Sequence, residues 1–537
     1  MEQRFGPSCV QARSQKTLSG AALWTLIARG DFFPITAMVQ ACSFLLMRPL
    51  YSSLLKTDSP SYLGIAQGYA EGRWYDAINP YWPPLVSWLA APLIRAGADP
   101  LDALHALALA TGLAGLTACR GLLTDCGIPM DIRGWLLLGL IPVFLAFSLT
   151  NPNPDLLVAV LLLFYMRLLL SPRCTEDPRF GLACGVLGAA AYLAKTYAFL
   201  FFLVHFPLVI LCRHAAERDL LRRRTLRRSL GLGLAAFLLL SSAWMAALCG
   251  KYGRLTLGDA GAYNYMLVYN DSGHKPWEGL TEPPHARSLS AWDDPLRLAQ
   301  QRASRSAGPP GIRETAERIG RNAVATLAAY QAGSVFSTAI LAGAAVGLAG
   351  LSFRALLANA HFHMLLALLL LPAGYWMLLV DRRYLYFGIL LIYALGGSLV
   401  MHTSSWSAMQ KKAAVILLCL SFAFVPLRDL RANAGFNEDV PRIASVLADA
   451  GVRGRIAADV DYDRSLHTAY FLSGGKEGVT FLGIPRPDMD GNQVHADLLR
   501  HRCDYFLCWG GGTCPPARDL RSLEVAGLEG LRIYRVR

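Results

Sequence analysis

The side chains best equipped for chemistry in this sequence lie at the ends of apolar runs. Asp58 opens a polar, aromatic segment that continues to Pro84, and Asp155 follows Asn151-Pro152-Asn153-Pro154. Lys195 lies between Tyr192 and Tyr197, and Arg382 and Arg383 stand between Asp381 and Tyr384. A charge within a bilayer costs on the order of 3 kcal/mol, so such a residue faces a cavity or a partner. Asp155 is too short to reach far back to water, and the prolines beside it break the helix there, as backbone lining a cavity does. Lysine and arginine at a helix end can instead snorkel. Lys195, Arg382 and Arg383 therefore carry a plain reading as interfacial anchors beside the functional one. Together the residue types are more informative. A carboxylate can take the proton of a hydroxyl, and guanidinium and ammonium groups grip phosphate. Asp58 and Asp155 are the candidate catalytic acids. Arg73, Tyr81, Lys195, Arg382, Arg383 and Tyr384 are the candidate substrate or phosphate contacts, with Glu71 and Asp76 as further candidates in the first segment.

The elements that must position these residues are membrane spans. The chain has 537 residues, 54% hydrophobic and 17% charged, and apolar runs of about 20 residues, the length that crosses a bilayer, recur along it. The pattern predicts a polytopic α-helical membrane protein of about eleven spans. They fall near 32–50, 101–122, 135–149, 156–170, 181–195, 197–212, 230–248, 323–351, 362–380, 385–401 and 413–425, with an interfacial helix at 83–96. Residues 1–31 form a basic cytoplasmic tail, 51–100 the first extracytoplasmic loop and 251–321 a long second one. The formal net charge of +13 comes from arginines clustered between apolar runs, most densely from Arg213 to Arg228. That is the signature of cytoplasmic loops and not of nucleic-acid binding.

From residue 428 to 537 the composition becomes that of a soluble α/β domain outside the membrane, following a membrane domain over 32–427. Helices are expected at 438–450 and 493–500, and strands at 455–460, 479–484, 504–509 and 531–536. Gly510-Gly511-Gly512 reads as a turn, since no Lys-Ser/Thr helix start follows to make a phosphate cradle. Cys503, Cys508 and Cys514 allow one disulfide, with the pairing left open.

Several short motifs, in this order and on one membrane face, resemble the membrane glycosyltransferases of the C-type fold (GT-C), among them the protein O-mannosyltransferases and the aminoarabinose–lipid A transferases. They are Asp58 with Tyr62 and Ala66 on one helical face, Tyr81-Trp82-Pro83-Pro84-Leu85, Asn153-Pro154-Asp155-Leu156-Leu157, Tyr192-Leu193-Ala194-Lys195 and Asp381-Arg382-Arg383-Tyr384-Leu385. The likeness covers roughly residues 30–400. It implies an enzyme of the cell (inner) membrane that moves a sugar from a polyprenyl-phosphate donor, on the extracytoplasmic side, to a lipid, glycan or protein acceptor. By position, Asp58 would be the base, Asp155 the second cavity acid, and Lys195, Arg382 and Arg383 the contacts to the lipid phosphate. Ser59 stands where the family often has a second acid, and Tyr81-Trp82 where aminoarabinose transferases carry charges. The acids leave a divalent metal open and demand no other cofactor. The alternative class is a transporter or flippase of lipid-linked substrates, or a cell-envelope assembly protein.

Overall fold

Proline, glycine and capping residues divide the apolar sequence into helices. A computed structural model describes residues 32–269, 277–302, 311–474, 478–515, 520–523, 525, 528 and 530–537. The expected cytoplasmic tail at 1–31 lies outside the described residues. The first helix, Phe33–Met47, starts with Pro34 in its first turn. Pro100–Asp125 is capped by Asp99, whose carboxylate accepts from the amides of Leu101 and Asp102. The third stretch is two helices, Met130–Gly139 and Ile141–Thr150, broken where Pro142 removes a backbone donor. Pro154–Leu170, Arg179–Ala194, Ala198–Ala216 and Leu220–Tyr252 follow, and then Ala360–Trp376, Tyr386–His402 and Ala408–Asn433.

Each of the eleven apolar stretches is helical. Among the described residues seven helices are long and apolar enough to cross a membrane, or eight if one bent pair counts as a span. The chain is a multi-pass membrane protein. Two local expectations are corrected. The stretch at 323–351 is not one straight helix: Ile312–Gly333 and Ser337–Ala349 meet at 107°. The bend falls at Ser334, whose backbone is extended and whose hydroxyl bonds Ser421 at 2.7 Å, while Ser337 Oγ returns to the carbonyl of Tyr330 at 2.7 Å. Side-chain hydrogen bonds thus replace the helical ladder. Nor is Arg213–Arg228 wholly a loop. The helix capped by Asp219 already begins at Leu220 and runs 33 residues, about 50 Å, so its arginine-rich first turns extend beyond a hydrocarbon core of about 30 Å.

The short Arg179–Ala194 helix lies against this long one through small residues. A Cβ on Gly181 would stand 2.2 Å from the carbonyl oxygen of Ser229, and one on Gly185 would stand 2.1 Å from that of Gly233. Such close approach is how helices associate where no hydrophobic effect drives them together.

The C-terminal domain is α/β, as expected. Its strands are β1 (Gly454–Ala458), β2 (Val479–Phe481), β3 (Tyr505–Cys508), β4 (Arg521–Leu523) and β5 (Arg532–Arg535), in the sheet order β2-β1-β3-β5-β4. β1 pairs in parallel with β2 and β3, while β5 is antiparallel to β3 and β4. Helices Val440–Asp449 and Gly491–Arg500 lie where the sequence placed them, and Tyr462–Ser473 and β4 are additional. Cys508 pairs with Cys514, leaving Cys503 as a buried thiol. The glycine run is a turn, and it cradles an internal anion: the amides of Trp509, Gly510 and Gly512 donate to the Asp459 carboxylate at 2.8, 3.0 and 3.2 Å.

The domain is tied to the first loop and to the long one. Gly435 N donates to Leu50 O at 2.9 Å, and Thr57 Oγ1 to Asp463 at 2.7 Å. In the long loop, Gly279 N and Thr281 N donate to the carbonyls of Ile484 and Leu482 at 2.6 and 2.8 Å, and Phe481 N donates to Leu289 O at 2.7 Å.

Candidate active site

Four interruptions of helix bring the predicted groups together. Asp58 immediately precedes the Ser59–Ala70 helix, with Pro60 in the first turn. Ser59 Oγ donates to Asn153 Oδ1 at 3.1 Å, which sets this turn beside the Asn-Pro break. Asp155 lies in the first turn of Pro154–Leu170, where the free amides of a helix start favour an acid. Lys195 is the extended residue that ends Arg179–Ala194, and Arg383 belongs to a single 3₁₀ turn, Arg382–Leu385, capped by Asp381.

The side chains form one network. Arg383 Nη1 donates to Asp58 Oδ2 at 3.0 Å. Arg383 Nε lies 3.3 Å from Asp381 and 3.8 Å from Asp155, with a hydrogen bond to neither. Lys195 donates to Asp155 Oδ1 and sits 3.6 Å from the centre of the Tyr384 ring. Asp155 Oδ2 also accepts from Asn151 at 3.4 Å. The two acids differ in character. The Asp155 side chain is 3% exposed with both oxygens engaged. The Asp58 side chain is 19% exposed, and its Oδ1 has no protein partner among the described residues.

These groups line a cavity of about 690 Å³. Asp58, Asp155, Lys195, Arg383, Tyr81 and Tyr384 all reach it. Leu200, Val204, Leu370 and Met377 make an apolar side, and Trp82, Tyr263, Trp277 and Trp292 an aromatic one. None of these last four was among the candidates; a sequence shows them only as aromatics in polar loops.

Four candidates lie elsewhere. Arg382 turns away to pair with Asp429. Successive residues of a 3₁₀ turn point about 120° apart, so Arg382 and Arg383 cannot both face the cavity. Arg73 bonds Glu71 at 2.8 Å, because Gly72, at φ +80°, reverses the chain between them. Glu71, Arg73 and Asp76 line a separate cavity of about 250 Å³ with His285 and Asp293, on another face of the Ser59–Ala70 helix.

The residues do not fit a divalent cation at the main cavity. Both acids are already faced by Lys195 or Arg383. The one group of three such ligand atoms among the described residues is Asp459, Cys508 and Cys514, whose sulfurs form the disulfide.

The solved structures that superpose on the chain are membrane glycosyltransferases of the C-type fold, and the chain has this GT-C fold. The similarity is one of shape. No protein-family model matches the sequence, and no curated protein sequence matches it. The oligosaccharyltransferase of Archaeoglobus fulgidus, in a complex with Zn and sulfate, superposes with a TM-score of 0.52 at 12% identity, over 88% of this chain and 67% of that one. The same organism's AglB, in complex with an inhibitory peptide and a dolichol-phosphate, gives 0.53 at 11% identity, over 89% and 69%. ArnT from Cupriavidus metallidurans, bound to undecaprenyl phosphate, aligns over 96% of this chain and 98% of its own at 14% identity, with a TM-score of 0.49.

Proposed function

We propose that the protein is an integral-membrane glycosyltransferase that moves a sugar from a polyprenyl-phosphate carrier to a hydroxyl-bearing acceptor on the extracytoplasmic side. The observation that carries this reading is the division of labour between two acids beside one arginine. Asp58 keeps an oxygen open at the cavity, whereas Asp155 is engaged as counter-ion to Lys195 and Arg383. The apolar side of the cavity suits an isoprenoid tail. The dolichol-phosphate and undecaprenyl phosphate bound by the similar structures agree with that carrier class.

In this mechanism Asp58 takes the proton of the acceptor hydroxyl as its oxygen attacks the anomeric carbon. The bond from that carbon to the phosphate oxygen breaks, and the carrier phosphate leaves with the electron pair. The two charge changes are coupled through Arg383. Protonation of Asp58 removes the negative charge that holds Arg383 Nη1. The guanidinium then becomes available to the phosphate, on which negative charge is growing. Lys195, fixed by Asp155 and the Tyr384 ring, supplies the second cation.

Arginine-rich helix ends on one side support a cytoplasmic placement for them, with the cavity and the C-terminal domain outside. A panel of labelled polyprenyl-phosphate sugars incubated with purified protein identifies the donor. Asp58→Asn is expected to lower turnover about 10²-fold or more while leaving the protein folded. Wild-type turnover in that variant removes Asp58 from the mechanism.

A further inference from the structure

The arginine-rich end of Leu220–Tyr252 plays no part in the mechanism above. One face of this helix is buried against its neighbours through Leu226, Ser229, Gly233 and Phe237. Arg224, Arg227 and Arg228 point away from that face and are all exposed. Their spacing of three and four residues makes them neighbours on the helix surface. The arginines beside them are engaged: Arg222 pairs with Glu176 and Arg223 Nε donates to His214 O, both at 3.3 Å. Arg224, Arg227 and Arg228 have no ion-pair or hydrogen-bond partner among the described residues. Three positive charges thus stand free within about 6 Å of helix axis. The amides at the helix start are a separate matter, since Asp219 caps them by accepting from Leu221 N.

The same outward face continues as apolar surface. Gly231, Ala235, Leu238 and Leu239 are exposed, the two leucines by 48% and 72%. A Cβ on Gly231 would meet nothing within 4 Å, so the surface just below the arginines is open. The stretch from Gly231 to Leu248 is about 26 Å long, close to the thickness of a hydrocarbon core. Arg228 and Arg224 then stand about 5 and 10 Å beyond its edge, within reach of the headgroup layer.

Free guanidinium groups directly above a bare apolar strip match a molecule with an anion at one end and hydrocarbon at the other. An acidic protein would use the charges and not the strip, which lies within the bilayer. A zwitterionic headgroup brings an ammonium that the arginines repel. We propose that this face binds an anionic phospholipid. Its phosphate oxygens accept from Arg224, Arg227 and Arg228, and its chains lie along Gly231, Ala235 and Leu238. The lipid backs the helix against which Arg179–Ala194, the carrier of Lys195, is packed.

The test is native mass spectrometry of the full chain released from detergent micelles. The probes are equal amounts of phosphatidylglycerol and phosphatidylcholine with the same chains. The wild type is expected to retain phosphatidylglycerol about tenfold over phosphatidylcholine. Changing Arg224, Arg227 and Arg228 together to Gln is expected to abolish that preference. A control with Arg173, Arg179 and Arg218 changed to Gln removes the same charge from exposed positions at the same end of the molecule, and is expected to keep the preference. A wild type without preference, a first variant that keeps it, or a control that loses it as fully overturns the proposal; the last result would mark general attraction to a positive end. Glycerol phosphate, the headgroup anion without chains, is expected to leave the bound lipid in place. Its displacing the lipid would mark a site for soluble phosphate and overturn the assignment.

Discussion

Asp155 and Asp58 are chemically identical and face the same guanidinium, so their surroundings alone decide what each can do. Asp155 meets Lys195 through one oxygen and Asn151 through the other, with Arg383 Nε 3.8 Å away. Its charge is spent on holding two cations in place. Removing one partner of a buried ion pair strands the other charge, at a cost of about 3–5 kcal/mol. Asp155→Asn is therefore expected to destabilise the protein by about 3 kcal/mol, and Lys195→Met by a similar amount. The double variant should lose clearly less than the sum, since each change removes the other's stranded charge. Unfolding in detergent micelles followed by circular dichroism measures all three, and strict additivity would show that the pair is not coupled. Asp58 has one cationic partner and more solvent, so its replacement is expected to cost within about 1 kcal/mol and to act on turnover instead.

At the scale of elements, the helix pair Arg179–Ala194 and Leu220–Tyr252 brings Lys195 to the site, and glycine makes that pairing close. A methyl on Gly185 would meet the backbone of Gly233 at 2.1 Å, whereas one on Gly231 meets nothing within 4 Å. Gly185→Val is expected to lower stability by about 2 kcal/mol or more through overpacking, and Gly231→Val to pack without any clash. Thermal unfolding of the two variants side by side tests this, and equal losses would locate the effect in helix propensity. Much of this level was legible in the sequence. Apolar length gave the helices, and Gly451 and the alternating runs gave the domain's first helix and four of its strands. What was not legible depends on direction in space. Sequence places Arg382 and Arg383 side by side, but only the 3₁₀ turn sends one to Asp429 and the other to Asp58. Likewise Gly72 gives no sign that it turns Arg73 back onto Glu71, and the bend at Ser334 hangs on a hydroxyl partner 87 residues away. The aromatic wall was missed for the same reason, since Tyr263 and Trp292 become neighbours of Asp58 only through the long loop's docking.

Across the whole molecule, the C-terminal domain touches both the loop that carries Asp58 and the loop that carries Trp292, so its stability bears on the site. His467 lies in that contact. It is 1% exposed on the Tyr462–Ser473 helix, with Nδ1 3.1 Å from Asn437 Nδ2. Burial pushes its pKa from 6.5 down to about 4, against the opposing pull of Asp463 and a backbone hydrogen bond at Lys56. The sign follows directly. In the unfolded chain the imidazole takes a proton near pH 6.5, while the folded domain refuses it until about pH 4. The stability linked to this group is therefore complete above about pH 6.5 and declines as the pH falls toward 4, by about 3 kcal/mol in all. Because the helix reports to Lys56, two residues before Asp58, the loss should appear as loosening of the first loop as well as of the domain. Hydrogen exchange on the full chain between pH 7.5 and 4.5, corrected for the intrinsic pH dependence of exchange, is expected to show protection falling at 462–473 and 56–59 together. His467→Gln should flatten that fall. If 462–473 loosens while 56–59 stays protected, the domain is not what holds the Asp58 loop in place.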